Sequence, residues 1–422
     1  MSAADLDVVV LGATGVTGRG VARYLAERAS QTDLRWAAAG RSPARLEASL
    51  AELGSGVPET ILADVGEPAS LRAMAARTRV VLDLVGPYTD LGRPVIEACI
   101  AAGAHYVDLT GELPFAREVI DSLHAGAAEA GVKVVQICGF EALPPDLSVM
   151  LAWETARERW QEGLASVDVE VSIAAPPGLP HLSDTISGGT LQSLLAVARA
   201  EDSERILDPA ALIEDSQTAS AVRRASPITL APRRGHRGGV IAPMAPAPFI
   251  NPAVIHRSAA LAEAAAGRPA APFRYREGML IGGPALAAPL QWGFAGGLSA
   301  TQVGLRSFTR TPAALRRRVV GTIARFVPGS GYGPAAGRME DWRWRMTTYA
   351  RTVTGRELEV RVDAEGHPGY LSTARLLGEV GILLAQDGVT PERAGCLTPA
   401  MALGTGCLER FDLARVRFSL SD

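Results

Sequence analysis

Three glycines near the start of the chain have a spacing that could bind a pyrophosphate. They lie in GATGVTG, residues 12–18, which follows the apolar run of residues 7–11 and leads into a helical pattern. Gly12 permits a tight turn, Gly15 lets the backbone approach an anion, and Gly18 lets the helix pack close to the strand. The helix N terminus adds unpaired N–H groups and a partial positive charge. We expect this loop to bind a dinucleotide rather than to be only a structural turn, with contacts from Gly12, Thr14, Gly15, Val16, Thr17 and Gly18.

The residues after the second predicted strand favour one coenzyme over the other. NAD sites usually place an acidic residue there, on the ribose 2′-hydroxyl. This chain has AGRSP at residues 39–43 and no Asp or Glu between Asp33 and Glu47. Arg41 carries a guanidinium that can pair with a 2′-phosphate, and Ser42 can donate a hydrogen bond to it. We therefore predict NADPH as the coenzyme; the alternative is a solvated surface arginine.

Asp64 follows the third predicted strand and has two interpretations. Its carboxylate can accept a hydrogen bond from the adenine amine of the coenzyme. It can also be the N-cap of the next helix, because Asp64 and Glu67 have the spacing of a capping box. The two roles are compatible, and the sequence does not separate them.

Residues 84–88, LVGPY, end the fourth predicted strand at the carboxyl edge of the sheet, where open α/β sheets bind ligands. We expect Val85, Gly86 and Pro87 to contact the nicotinamide half of the coenzyme, since Gly86 allows close approach. Tyr88 is the candidate catalytic residue, as a proton donor or a ring that stacks on the nicotinamide, with Tyr106 or Tyr370 as weaker candidates. The alternative role for Tyr88 is an aromatic lid over the crevice.

Four acidic residues near the same edge could act in acid–base chemistry or stabilise loops. Asp108 and Glu112 follow the fifth predicted strand, and strand-end acids commonly cap the following helix, so we favour loop stabilisation. Asp146 most simply stabilises the first turn of its own helix. Glu141 has no comparable structural explanation in the sequence.

Other common catalytic and metal-binding patterns are missing from the sequence. The six histidines share no motif and the four cysteines form no CxxC pair, so we expect neither a metal site nor a disulfide framework. Lys133 is the only lysine of the chain. This excludes a Tyr-x-x-x-Lys pair, and it leaves no lysine at a plausible position for a Schiff base.

The first 140 residues alternate between short apolar strands and helices of about ten residues. Strands are predicted at residues 7–11, 35–39, 60–63, 79–85, 105–109 and 132–138, and helices at residues 18–29, 43–53, 68–76, 93–102 and 114–130. Such alternation is typical of βαβ units, and continuous apolar strands are typical of a sheet covered on both faces. The predicted fold class is α/β, with a doubly wound parallel sheet of the Rossmann type.

After Pro144 the pattern changes to a second, α+β domain with a mixed or antiparallel sheet. Residues 167–173 alternate with period two, residues 343–353 and 356–363 form strands around a turn at Thr354-Gly355, and residues 188–200 form a helix. Residues 226–252, rich in Pro, Arg and Gly, are predicted to be mostly loop. We therefore divide the chain into a coenzyme-binding domain (1–145) and a substrate or dimerisation domain (146–367), and expect the long helix and final strand of residues 368–422 to pack back on the first domain.

Composition limits the partners and the compartment. The chain has 422 residues, 47% apolar and 21% charged, and a formal net charge of −3, which gives no electrostatic footprint for nucleic acid. The N terminus lacks the pattern of a signal peptide, so we expect a cytoplasmic protein. Residues 278–305 contain no charged residue but are rich in Gly and Ala and include two prolines. A buried or membrane-surface segment beside an apolar pocket is favoured there over a membrane span, which leaves peripheral membrane contact open.

Several motifs together resemble the saccharopine dehydrogenase-like NADP-binding proteins, and more closely their trans-acting enoyl reductase branch. In order they are GATGVTG, AGRS, VGPY, HYVDLTGE and GFEALPPDL, followed by SGGTLQS (187–193), INPAVIHRSAAL (250–261), GSGYGP (329–334), HPGYLSTARLLGE (367–379) and LTPA (397–400). The resemblance covers nearly the whole chain. The motifs are specific as a set, although each alone is weak.

The resemblance implies NADP-dependent reduction of a C=C bond in a polyketide or fatty acyl chain held on a carrier domain. The sequence departs from the family pattern GFDSxPSD at one loop, where Glu141, Ala142 and Pro145 replace Asp, Ser and Ser. Saccharopine is not expected as the substrate, because the candidate pocket segments are apolar. Three hypotheses follow: an enoyl reductase acting on an apolar acyl substrate, an imine or carbonyl reductase of a natural-product pathway, and a membrane-associated NADP-binding protein without turnover. A homodimer is compatible with each of them.

Overall fold

The computed structural model describes residues 4–53, 57–177, 203–282, 287–325 and 336–421, together with residues 195 and 198. The segments at residues 187–193 and 329–334, and the predicted helix at residues 188–200 apart from residues 195 and 198, lie outside this part of the chain.

The first sheet, sheet A, contains seven parallel strands: β1 (Leu6–Leu11), β2 (Trp36–Gly40), β3 (Glu59–Leu62), β4 (Thr78–Asp83), β5 (His105–Asp108), β6 (Lys133–Val135) and β13 (Gly395–Leu397). Their order is β13–β6–β5–β4–β1–β2–β3. The central strands are buried on both faces, as expected when helices cover a parallel sheet. The predicted doubly wound α/β class is confirmed.

Five helices connect the first six strands: α1 (Val16–Ala29), α2 (Pro43–Leu50), α3 (Pro68–Ala75), α4 (Tyr88–Ala102) and α5 (Leu113–Glu129). From β1 the chain moves outward to β2 and β3, and then returns to the other side of β1 to form β4, β5 and β6. The carboxyl ends of β1 and β4 therefore flank the topological switch point, where a crevice opens in folds of this type.

The second sheet, sheet B, contains β7 (Leu164–Ala174), β8 (Arg233–Arg234), β9 (Val240–Ala242), β10 (Arg274–Ile281), β11 (Arg343–Thr352), β12 (Glu357–Glu365) and β14 (Val416–Ser421). The order is β14–β12–β11–β7–β10–β9–β8. β10 pairs with β7 in parallel and the other pairs are antiparallel. The β11–β12 hairpin turns at Gly355, whose φ of 93° suits a glycine, so the hairpin predicted there is confirmed.

The remaining helices are α6 (Leu143–Trp160), α7 (Ser216–Ala225), α8 (Ala247–Ala265), α9 (Ala288–Thr309), α10 (Ala313–Ile323), α11 (Thr373–Ala385) and α12 (Pro399–Leu403). Short 3₁₀ helices lie at Ala51–Leu53, Ser203–Leu207, Ala336–Arg338 and Leu408–Ala414, and a π-helical turn at Pro368–Ser372 leads into α11.

The last part of the chain contributes to both sheets. β13 pairs with β6 in sheet A, whereas β14 pairs with β12 in sheet B. α11 lies against α1, where the buried Glu379 accepts hydrogen bonds from Tyr24 Oη (2.6 Å) and Arg410 (3.0 Å). One continuous hydrophobic cluster includes Val8 of β1 and Val360 of β12, so the two sheets share a core.

Residues 226–252 are mostly loop, as predicted, except for the short strands β8 and β9 and the start of α8, which covers residues 247–252. Proline usually interrupts helices, but Pro248 lies in the first turn of α8, where its missing N–H costs no hydrogen bond. Pro252 lies further inside the helix, and most of the surrounding side chains are buried. Tertiary packing therefore stabilises a helix where the local composition indicates a loop.

The uncharged segment of residues 278–305 ends β10 and continues into α9. Gln291, Ala295 and Ser299 are buried on one face of α9, while Leu290 and Phe294 are 62% and 63% exposed on another. Of the two predicted alternatives, burial holds for the first face only, and contact of the second face with a membrane surface stays a prediction. Among the described residues, no helix is both long and apolar enough to cross a bilayer.

Candidate coenzyme and active site

The loop between β1 and α1 has the backbone that its glycines predict. Gly12 adopts a φ of 87°, and its N–H donates to Ala39 O of β2 (3.0 Å). A Cβ on Gly18 would collide with Gly12 O, so only glycine allows α1 to approach the turn this closely. Both positions therefore need glycine for reasons internal to the protein.

Gly15 is different, because its own surroundings would tolerate a side chain. A Cβ there would meet only Gly12 O, at an ordinary contact distance of 3.5 Å, and the φ of −72° is accessible to any residue. Gly15 precedes the first turn of α1, which has no side-chain cap and no acidic residue. The absent side chain leaves open the space in front of the helix N terminus, and this cradle fits a pyrophosphate.

Arg41 and Ser42 lie where the sequence places them, between β2 and α2. Arg41 is exposed, and no residue in the described part of the chain forms an ion pair or hydrogen bond with its guanidinium. Ser42 precedes α2 and makes no side-chain capping hydrogen bond. An unpaired guanidinium and a hydroxyl at this strand end fit a coenzyme that carries a 2′-phosphate.

Asp64 does not cap a helix. α3 begins at Pro68 with Glu67 as the preceding residue, and the Asp64 carboxylate accepts from Gly66 N (2.9 Å) in a turn. The predicted capping box is therefore wrong, because the chain makes this turn before the helix begins.

The structure brings Val85 next to the phosphate loop. Its Cγ2 atom lies 3.0 Å from the position that a Gly12 Cβ would take, so the ends of β1 and β4 are in contact. The Glu112 carboxylate accepts from Tyr88 N (3.1 Å) and Thr89 N (2.9 Å) at the start of α4. The prediction that Glu112 stabilises a loop is confirmed. Its side chain connects the loop after β5 to the loop after β4.

Tyr88 lies in the core rather than in the crevice. It is 5% exposed, and its hydroxyl donates to Asp83 O (3.1 Å) and accepts from Leu109 N (3.4 Å). Burial raises the pKa of Tyr88 well above its usual value. The hydroxyl is therefore engaged by two backbone groups at the ends of β4 and β5.

A buried pair of carboxyl groups lies beneath this edge of sheet A. The Tyr106 hydroxyl is 3.1 Å from Asp83 Oδ2 and 3.0 Å from Asp108 Oδ2. A hydroxyl has one proton, so hydrogen bonds to both acids require one of them to be protonated. Burial raises the pKa of Asp83 to about 8 and that of Asp108 to about 6, which identifies Asp83 as the protonated partner near neutral pH.

This pair predicts that the protein loses stability as the pH rises. Because the folded state holds protons that the unfolded state releases near pH 4, the free energy of unfolding should fall between about pH 4 and pH 8. Asp146 and Glu277, whose pKa values burial raises to about 7, add to this fall. Asp83→Asn should therefore lessen the dependence, most clearly above about pH 7, whereas Asp341→Asn, at an exposed position, should leave it unchanged. Urea unfolding at several pH values measures the effect, and an equal slope in wild type and Asp83→Asn would contradict it.

Asp146 lies in the first turn of α6, as predicted, but its carboxylate bonds elsewhere. It accepts from Ser258 Oγ (2.6 Å) on α8 and from Ala400 N (2.8 Å) at the start of α12. Burial raises its pKa to about 7. Asp146 thus connects three helices rather than stabilising only its own.

Three polar residues that the sequence did not single out, Asn251, Tyr275 and Glu277, form a second buried cluster. They lie on α8 and β10 and are joined by hydrogen bonds, and Asn251 also contacts the Glu141 loop that follows β6. The one available signal was Glu277 itself, the last acidic residue before a long stretch without any. Among the described residues, no group of three or more His, Cys, Asp or Glu side chains is placed to hold a metal ion.

Comparison with known proteins identifies the relatives of this chain. Residues 8–135 match the saccharopine dehydrogenase NADP binding domain. A Mycobacterium tuberculosis (H37Rv) protein whose name proposes a trans-acting enoyl reductase is 37% identical over 425 residues, covering 98% of this chain and 96% of the relative. The trans-acting enoyl reductase of Mycobacterium ulcerans is 36% identical over 428 residues, covering 96% of this chain and 95% of the relative.

The fold has a solved counterpart. Apo saccharopine dehydrogenase (L-Glu forming) of Saccharomyces cerevisiae aligns with a TM-score of 0.51 at 16% identity, covering 98% of this chain and 99% of that one. At this identity the likeness concerns the fold alone. The mycobacterial proteins are 36–37% identical to this chain over nearly its full length, and its NADP binding domain is matched as well. The chain therefore belongs to the trans-acting enoyl reductase family.

Proposed function

We propose that this protein is an NADPH-dependent enoyl reductase that acts on an apolar acyl or polyketide chain carried on a carrier domain. Two observations carry the proposal: the open phosphate cradle, and Arg41, whose guanidinium has no partner among the described residues. The chain is also related over 96–98% of its length to trans-acting enoyl reductases. A guanidinium at the end of β2 that no described residue pairs with favours NADPH over NADH.

The residues proposed to hold the coenzyme follow the edge of sheet A. The phosphate loop would bind the pyrophosphate, Arg41 and Ser42 the 2′-phosphate, and Asp64 the adenine, through the carboxylate oxygen that Gly66 N leaves available. The residues after β4 would contact the nicotinamide half, because they border the switch point. The full proposed set is Gly12, Thr14, Gly15, Val16, Thr17, Gly18, Arg41, Ser42, Asp64, Val85, Gly86 and Pro87.

When bound, NADPH supplies a hydride to the β carbon of an α,β-unsaturated thioester. The chain must hold the two reacting carbons together in a site from which water is excluded. Negative charge then develops on the thioester oxygen and the α carbon, so the protein must offer a hydrogen-bond donor and a proton.

The position of Tyr88 does not allow it to act as that proton donor. A donor must reach the substrate, whereas the Tyr88 hydroxyl lies between Asp83 O and Leu109 N. We propose instead that Tyr88 positions the loop of residues 84–88. Tyr88→Phe should lower the free energy of unfolding by about 1–3 kcal/mol, the cost of leaving buried polar groups unpaired. It should lower kcat less than about tenfold, whereas loss of a general acid costs roughly 10²–10⁴-fold.

Denaturant unfolding and steady-state kinetics on the same preparation separate these roles. A hundredfold loss of kcat with unchanged stability would restore Tyr88 as the acid.

The proposed function is tested by NADPH oxidation with three substrate panels: enoyl thioesters of increasing chain length on pantetheine and on a carrier domain, cyclic imines, and ketones. We expect turnover with the enoyl thioesters, improving with chain length and with carrier attachment. Turnover of imines or ketones alone would establish the other reductase class. Tight NADPH binding without oxidation by any panel would show a binding protein without turnover.

A further inference from the structure

A polar cluster formed by Asn251 of α8 and by Tyr275 and Glu277 of β10 contacts the loop after β6, at the edge of sheet A where the parallel strands end. Asn251 Nδ2 donates to Glu277 Oε2 (2.8 Å), and the Tyr275 hydroxyl donates to the same oxygen (2.7 Å). Asn251 and Tyr275 are 1% and 3% exposed. One oxygen of the Glu277 carboxyl is therefore held by two donors from two different elements, which fixes its orientation.

Two oxygens of this cluster have no partner. Glu277 Oε1 and Asn251 Oδ1 are buried, and no described residue forms a hydrogen bond with either. Buried polar atoms are nearly always paired, and exceptions often mark functional sites or places where a ligand or ordered water completes the pairing. These two oxygens can therefore form hydrogen bonds with a bound ligand or an ordered water.

Contacts with sheet A locate the cluster. Asn251 Nδ2 also donates to Glu141 O (2.6 Å), in the loop after β6. The neighbouring Ile250 lies against Gly111, in the loop after β5, with its Cδ1 atom 3.1 Å from the position of a Gly111 Cβ. The start of α8 therefore packs on the carboxyl ends of β5 and β6, on the β4 side of the switch point.

We propose that Glu277 is the acid that protonates the α carbon of the substrate, directly or through one ordered water, with Asn251 and Tyr275 as its positioning residues. This rests on the proposed enoyl reduction. After hydride addition at the β carbon, the enolate electron pair forms a C–H bond with the Glu277 proton, and the thioester C=O is restored. The Glu277 carboxylate then regains a proton from solvent, so each turnover consumes one NADPH and one proton.

The surroundings of Glu277 bring the pKa of its carboxyl group into the neutral range. Burial raises its pKa to about 7, with Glu141 adding to the increase, while hydrogen bonds from Tyr275 and Asn251 and the positive charge of Arg233 lower it. Because the protonated form is the active one, kcat should be constant at low pH and fall as the pH rises through about 7.

Glu277→Gln tests the assignment, since glutamine keeps the shape and accepts the same hydrogen bonds but has no acidic proton. We expect kcat to fall roughly 10²–10⁴-fold, the usual contribution of a general acid, with the Kd for NADPH unchanged. In D₂O the wild type should give a single configuration at the deuterated α carbon, and the variant a mixture. Glu357→Gln, the same change at an exposed position of β12, is the matched control and should alter none of these.

Two further measurements keep the assignment falsifiable if Glu277→Gln does not fold. Tyr275→Phe removes a donor that stabilises the carboxylate, so the fall in kcat should move to higher pH. Infrared difference spectra of the full chain across neutral pH should show a titrating carboxylic acid band. In a folded Glu277→Gln variant the band should lose the intensity of one carboxylic acid. In Tyr275→Phe the midpoint of its titration should lie at higher pH.

The outcomes separate this proposal from the function on which it rests. A Glu277→Gln variant that keeps wild-type kcat and product configuration overturns the role of Glu277 and leaves enoyl reduction intact, as does an unshifted pH profile in Tyr275→Phe. A wild type that binds NADPH but reduces no enoyl thioester overturns both.

Discussion

Gly15→Leu should abolish measurable NADPH binding while the protein stays folded. The first side-chain carbon fits, because its nearest neighbour, Gly12 O, would be 3.5 Å away, but the rest of the leucine would fill the space in front of the N terminus of α1. Loss of two hydrogen bonds to a charged phosphate, at about 1.5–3 kcal/mol each, corresponds to a Kd increase of roughly 100-fold or more. Isothermal titration calorimetry with NADPH measures the effect.

Gly126→Leu provides the matched control for that experiment. Gly126 lies on the exposed side of α5 in the same domain, and a Cβ there would meet no other atom within 4 Å. This variant should bind NADPH as the wild type does, and circular dichroism should show both variants folded. Wild-type affinity in a folded Gly15→Leu variant would contradict the phosphate loop assignment.

Arg41→Ala should weaken NADPH binding about 10–100-fold and leave NADH binding nearly unchanged. The guanidinium has no partner among the described residues, so its removal breaks no internal contact. A charge-assisted pair with a phosphate contributes about 1.5–3 kcal/mol, and NADH lacks the 2′-phosphate that would form it. The ratio of the two dissociation constants is the quantity to measure.

Arg72→Ala is the control for Arg41. Arg72 is an exposed arginine on α3 in the same domain, so its removal changes the net charge equally without touching the strand end. It should alter both affinities little, and the small change should be the same for the two coenzymes. If Arg41→Ala weakened NADPH and NADH equally, the 2′-phosphate assignment would be wrong.

The sequence was sufficient for the coenzyme half of the molecule because its signals are local. The turn at Gly12, the exclusion of a Cβ at Gly18 and the alternation of apolar strands with helices each depend on residues a few positions apart. The boundaries of β1, α1 and β2 differ from the predicted ones by at most two residues. The division into domains at residues 145 and 367 remains a prediction.

The sequence was less informative wherever distant segments pack together. Pro248 and Pro252 indicate a loop, yet both lie in α8, most of whose side chains are buried. Because Tyr88 follows a strand end, the sequence suggests that it lines the crevice. In the structure its hydroxyl is buried and accepts a hydrogen bond from Leu109 N, 21 positions later in the chain. Asp146 similarly bonds to Ala400, 254 positions away, which no local pattern indicates.

The sequence alone determined the parallel sheet and the glycine turn after β1, because backbone conformation and side-chain type over a few residues dictate them; binding of a 2′-phosphate by Arg41 is a prediction made from the same local signals. The tertiary structure decided which acids are buried, which hydroxyls are engaged, and that Asn251, Tyr275 and Glu277 meet at the edge of sheet A. Burial and pairing are properties of the surroundings of a group, and segments far apart in the chain create those surroundings only when the protein folds.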